Sequence, residues 1–130
     1  PIPEQTSFTA LRDGDAPRYA EAQGVRTKEM VGPRSELEVH GDIRLFTESQ
    51  LEEGGLLALE LDDSEGGLLA IREGQVRLDG REVDAGATIL LPPAEGERSI
   101  RVQATRLTRI LRIVHGPGHG FVRGTRARRT

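Results

Sequence analysis

The chain has 130 residues, no cysteine, 35% hydrophobic residues, and 18 Lys+Arg against 21 Asp+Glu, a formal charge of −3. That length suits one compact core, and the lack of cysteine excludes disulfides, thiolate metal sites and a cysteine nucleophile. Four arginines lie in the last ten residues (Arg123, Arg126, Arg128 and Arg129), so the preceding 120 residues carry 14 cations against 21 acids, a balance of −7. An acidic body does not look like a nucleic-acid binder, whose domain should carry a basic face, and one tyrosine, three phenylalanines and no tryptophan leave few platforms on which bases could stack.

The opening segment, residues 1–35, is punctuated by Gly14, Pro17, Gly24, Gly32 and Pro33 into short irregular pieces. Residues 16–23 are read as one or two helical turns, and Val25–Val31 as an edge strand. "PIPEQTSFTA" has neither the charged start nor the apolar run of a secretion signal, and no stretch nears the ~20 apolar residues of a membrane span. The expectation is a soluble, cytoplasmic protein.

From Glu36 onward, apolar and polar residues alternate. Leu37 and Val39 do so, then Ile43 and Leu45, then Leu57, Leu59 and Leu61 in "LLALELDD". Leu69 and Ile71 follow, then Val76 and Leu78, Ile89 and Leu91, and Ile100 and Val102. Period-two runs broken by Gly, Pro and Asp mark half-buried antiparallel strands. Asp79-Gly80 is a two-residue hairpin turn, because a type I′ loop needs positive φ at both central positions. Residues 105–114, "TRLTRILRIV", fit two templates. Leu107, Ile110, Leu111 and Val114 match a helical face, whereas Thr105, Thr108, Ile110, Ile113 and Val114 are β-branched and favour a strand. With strands before it, a strand is expected, and the whole pattern predicts an all-β sandwich or barrel.

The stretch from Gly55 to Pro92 resembles the two motifs of the cupin superfamily. The first motif runs glycine, five residues, H-x-H, three or four residues, glutamate, six residues, glycine. Here Gly55 leads to Leu61-Asp62-Asp63, then Gly67, then Gly74. The second runs glycine, five residues, P-x-G, two residues, histidine. Here Gly86 leads to Pro92, with Ala94 in place of the motif's glycine. The glycines and the proline are in register, but the metal ligands are not. Leu61 and Asp63 stand for the two histidines, Gly67 stands for the glutamate, and the last histidine falls on Glu97 or Arg98.

The resemblance implies a small jelly-roll barrel over residues 36–116, with 1–35 packed on or extending it and a Gly/Arg-rich tail over 117–130. Strand phase places Asp63 with Leu57, Leu59 and Leu61, and Arg98 with Ile100 and Val102, so both are expected to face inward and could pair.

No metal or other cofactor is expected. If a metal binds, His40, His115 and His119 are the candidate ligands, although "HGPGH" lacks helical ligand spacing and exposed loop histidines are the alternative. Glu60, Asp62, Asp63 and Glu97 form a second, oxygen-rich possibility, against a simple solvated role. The serines lack a nucleophile-elbow context, and no residue is assigned as catalytic. The expected function is therefore metal-free binding or assembly, as a small-ligand sensor, an accessory subunit or a structural homo-oligomer, with the dimerisation that cupin likeness implies. The expected ligand is a small anion held at the barrel mouth by Arg44, Asp63, Arg72, Glu97 and Arg98, with Arg98 suited to a bidentate grip. The alternative is a cupin-type isomerase, epimerase or lyase using a tuned acid and base, with His40 and Asp63 first to test. Nucleic acid enters only through the arginine tail.

Overall fold

The computed structural model describes residues 13–35 and 42–116. After a 3-10 turn at Asp13–Asp15 come ten strands: β1 Arg18–Ala22, β2 Val25–Val31, β3 Ile43–Leu51, β4 Leu56–Leu61, β5 Gly66–Glu73, β6 Gln75–Leu78, β7 Arg81–Asp84, β8 Thr88–Leu91, β9 Arg98–Ala104 and β10 Thr108–His115. They form a six-stranded sheet, β1-β2-β3-β10-β5-β8, and a four-stranded sheet, β4-β9-β6-β7. Every strand pairing among the described residues is antiparallel. The architecture is an all-β sandwich, as the alternation predicts, with the jelly-roll form that the cupin resemblance implies.

Leu57, Leu59 and Leu61 of β4 and Val102 of β9 point inward from the small sheet. They meet Leu69 and Ile71 of β5 and Ile110 and Val114 of β10 from the large one, and all are at most 1% exposed. Register fixes this face, because a one-residue slip would turn the whole apolar set toward water. At the sheet-to-sheet crossing between β5 and β6, Gly74 has φ +90°, and a Cβ there would lie 2.7 Å from Thr108 Cα. At the predicted hairpin, Asp79 (φ 51°) and Gly80 (φ 77°) join Leu78 to its partner Arg81.

Two local expectations are corrected. Residues 16–23 are not helical, because β1 occupies their centre and pairs with β2 through Arg18–Lys28 and Ala20–Arg26. Cross-strand pairing there overrides local helix propensity. Val25–Val31 is a strand, but an internal one between β1 and β3, so β1 is the edge. The ambiguous "TRLTRILRIV" is a strand: Thr108, Ile110, Arg112 and Val114 alternate inward, while Leu107 is 60% exposed. The described part of the first 35 residues extends the large sheet. Leu37 and Val39, and the tail from residue 117, lie outside the described residues.

Candidate functional site

The residues at the motif positions gather at one end of the sandwich, around a side chain absent from the motif comparison. β4 ends at Leu61, and the chain turns over residues 62–65, with Ser64 at φ 70°. Asp63 therefore leaves the inward phase of β4. It is exposed, and its carboxylate accepts a hydrogen bond from the Gly96 N–H at 2.5 Å. This corrects both the inward placement of Asp63 and its pairing with Arg98. The strand alternation that carried the expectation stops two residues too early.

Arg98 does keep the phase of Ile100 and Val102 and sits opposite Leu61. Its guanidinium donates to the Pro92 carbonyl at 2.8 Å and to the Glu65 carbonyl. Glu65 is 8% exposed. Its carboxylate accepts from Arg44 Nε at 2.6 Å, Arg44 Nη2 at 2.8 Å and the Asp62 N–H at 2.8 Å. Burial pushes the Glu65 carboxyl up, but hydrogen bonds from Arg44 and Asp62, with the charges of Arg44 and His115, outweigh it and hold the carboxyl below its ordinary range. The same pair holds Arg44 above its ordinary range, through the Glu65 hydrogen bonds first, against burial.

His115 closes β10 and is 1% exposed, so it is no exposed loop residue. It packs where a Cβ on Gly66 would come within 2.8 Å of its ring. Its Nδ1 lies 3.0 Å from the Gly116 carbonyl.

The structure thus brings Arg44 and Arg98 together on Glu65, which sequence reasoning missed. One signal was available, since Glu65 shares strand parity with Gly67, Leu69 and Ile71. Arg72 and Glu97 are both exposed and take no part in this cluster. Arg72 lies toward the far end of β5, about 20 Å away at the usual strand rise.

A second polar group lies inside the sandwich. Arg112, 5% exposed, points inward from the large sheet. Its Nη1 and Nη2 donate to the two Glu21 carboxylate oxygens at 2.8 and 2.7 Å, and Nε donates to Thr47 Oγ1 at 3.0 Å. Nη1 also donates at 2.8 Å to the Ala58 carbonyl on β4, an edge strand of the small sheet. Thr27 Oγ1 donates to Glu21 at 2.7 Å and lies 2.7 Å from Ser49 Oγ. Burial raises the Glu21 carboxyl, but the hydrogen bonds and charge of Arg112, with Thr27 and Arg34, bring it below its ordinary range. Nearby, buried Glu29 accepts from the Tyr19 hydroxyl at 3.0 Å, and burial followed by that carboxylate holds the phenol above its ordinary range.

The residues at the cupin ligand positions do not fit a metal. Leu61 is aliphatic, Gly67 has no side chain, Asp63 faces out and Arg98 is a cation. Among the described residues, no group of three or more His, Asp or Glu is placed to hold an ion. His40 and His119 lie outside the described residues. So do Arg123, Arg126, Arg128 and Arg129. No described helix is long and apolar enough to cross a membrane.

No family model and no curated protein matches this sequence. Its fold, however, is similar to solved cupins. A quercetin 2,3-dioxygenase from Acinetobacter baumannii matches with TM-score 0.71 at 16% identity, over 93% of this chain and 47% of that one. GK1651 from Geobacillus kaustophilus matches with TM-score 0.64 at 23% identity, over 85% of this chain and 47% of that one. An RmlC-like cupin from Shewanella frigidimarina matches with TM-score 0.58 at 12% identity, over 87% of this chain and 94% of that one. The chain thus spans about half the length of the first two and nearly all of the third. Likeness at such low identity speaks for architecture, not chemistry: the chain has the cupin fold.

Proposed function

We propose that this chain is a metal-free cupin-fold protein that acts by binding or assembly, as a ligand sensor, an accessory subunit or a structural homo-oligomer. One observation carries this reading: the motif positions that would converge on an ion are aliphatic, glycine, outward-facing or cationic. The polar groups inside support it, because Arg112, Glu21, Glu29 and Glu65 are all engaged by internal partners. A general acid or base needs a proton-transfer group open to substrate, and these carboxylates are committed to guanidinium, phenol or backbone donors instead. Asp63, the acid named for an enzymatic role, points outward to the Gly96 N–H.

This reading places a small anion at the Arg44–Glu65–Arg98 end, where Arg44 keeps 43% of its side-chain surface exposed. Elemental analysis of the full chain, purified without metal-affinity steps or chelator, checks the reading. Transition-metal content well below one ion per chain is expected. A stoichiometric ion that survives dialysis overturns it.

A further inference from the structure

A sheet edge is a row of backbone donors and acceptors that a strand from another chain can join, and proteins blunt such edges with charge, proline or shortness. Among the described residues the sandwich has four edge strands, β1 and β8 on the large sheet and β4 and β7 on the small one. Three are blunted by their own sequences. β7 carries three charges in four residues. β8 has only four residues and runs into Pro92-Pro93. β1 follows Pro17 and holds Arg18 and Glu21 among five residues. β4 is the exception. Five of its six residues are apolar, it contains no proline, and Leu56 is 54% exposed.

Pairing phase decides which backbone groups of β4 face the edge. Successive residues of an antiparallel strand turn their N–H and C=O alternately toward and away from the partner. Just before β4, the Gly55 carbonyl accepts from the Ala104 N–H at 2.9 Å. Leu57, Leu59 and Leu61 share that phase and bond to β9, so Leu56, Ala58 and Glu60 face away from it. Two of these three outward carbonyls are filled from the large sheet. Arg112 Nη1 donates to Ala58 at 2.8 Å, and Arg44 Nη2 donates to Glu60 at 3.3 Å. Each guanidinium is itself held by both oxygens of a carboxylate, Glu21 for Arg112 and Glu65 for Arg44. Arg44 is the extra residue where the β3–β10 register slips, since Val114 faces Leu45 while His115 faces Ile43. A bulge of this kind re-aims a side chain. An incoming strand must displace both guanidiniums or leave its own N–H groups unbonded, at a cost that opposes docking.

We propose that Arg112 and Arg44 are paired clips that close the β4 edge, and that without them this edge adds the β4 strand of a second copy. Two copies of β4 related by a two-fold axis run antiparallel and present the same groups to each other. Leu57, Leu59 and Leu61 of both then lie on one face of a continuous sheet. The contact is between chains, so the metal and anion readings above can fail without affecting it.

Light scattering on the full chain tests the proposal. One variant opens both clips while removing the carboxylates that would be stranded: Arg112→Met with Glu21→Leu, and Arg44→Met with Glu65→Gln. Its mass is expected to be at least double that of the parent, with the β-rich circular dichroism of the parent retained. Adding Ala58→Pro, which takes away an N–H that points from the edge and spares the β9 ladder, is expected to restore the parent mass. Each clip opened alone is expected to give weaker association that grows with protein concentration, which decides the matter where the fourfold variant does not fold. Parent mass in folded variants overturns the proposal, as does an assembly that survives Ala58→Pro. So does a parent whose own mass falls on Ala58→Pro, because the edge is then already in use.

Discussion

Arg112 and Glu21 show what a buried charge demands. The guanidinium is almost fully withdrawn from water, and it persists there because Glu21, Thr47 and the Ala58 carbonyl take its donors. Removing one partner strands the other, whereas removing both need not destabilise. Glu21→Ala is expected to cost about 2–3 kcal/mol in urea unfolding, less than the ~3–5 for a fully buried pair, because Glu21 keeps 28% of its side-chain surface exposed. The double change Glu21→Leu with Arg112→Met is expected to recover most of that loss.

The same carboxylates set an acid limit on stability. Glu21 and Glu65 are both held below their ordinary 4.5, so below that value the unfolded chain binds more protons than the native one. Their stabilisation is complete above the ordinary value and is lost as pH falls through the lowered native values. Urea midpoints measured from pH 7 to pH 3 are expected to show a shallower acid decline for Glu21→Gln than for the parent.

At the level of the element, Gly74 and Gly80 separate conformation from space. Both have positive φ, but a Cβ on Gly80 meets nothing within 4 Å, whereas on Gly74 it meets Thr108 and its neighbours. Gly80→Ala is expected to cost only the backbone penalty, about 1–2 kcal/mol. Gly74→Ala adds an overpacking term and is expected to cost about 2–4 kcal/mol. Parallel thermal melts check the difference. The Asp79-Gly80 hairpin was readable from two letters because its geometry is local. β1 was not, because "RYAEA" carries no strand alternation in its burial and owes its form to pairing with β2. β2 was placed at an edge for a related reason: two of its inward residues are Thr27 and Glu29, which an apolar pattern does not register as core.

For the whole molecule, the two sheets close over one aliphatic core, and stability is expected to owe nothing to a bound ion. Any tight ligand of the native state raises the melting temperature. Addition of EDTA is therefore expected to leave the melting curve unmoved, which a thermal melt with and without the chelator checks.

The order of apolar residues along the chain was enough to specify antiparallel strands, a sandwich and most of its hydrophobic lining, because alternate side chains of a strand fall on opposite faces whatever surrounds them. It could not reveal that Arg112 lies inside, that Asp63 turns out, or that Glu65 gathers Arg44 and Arg98. A polar side chain is tolerated in the interior only when a distant segment supplies its partner, and Glu21 is 91 residues from the arginine it satisfies.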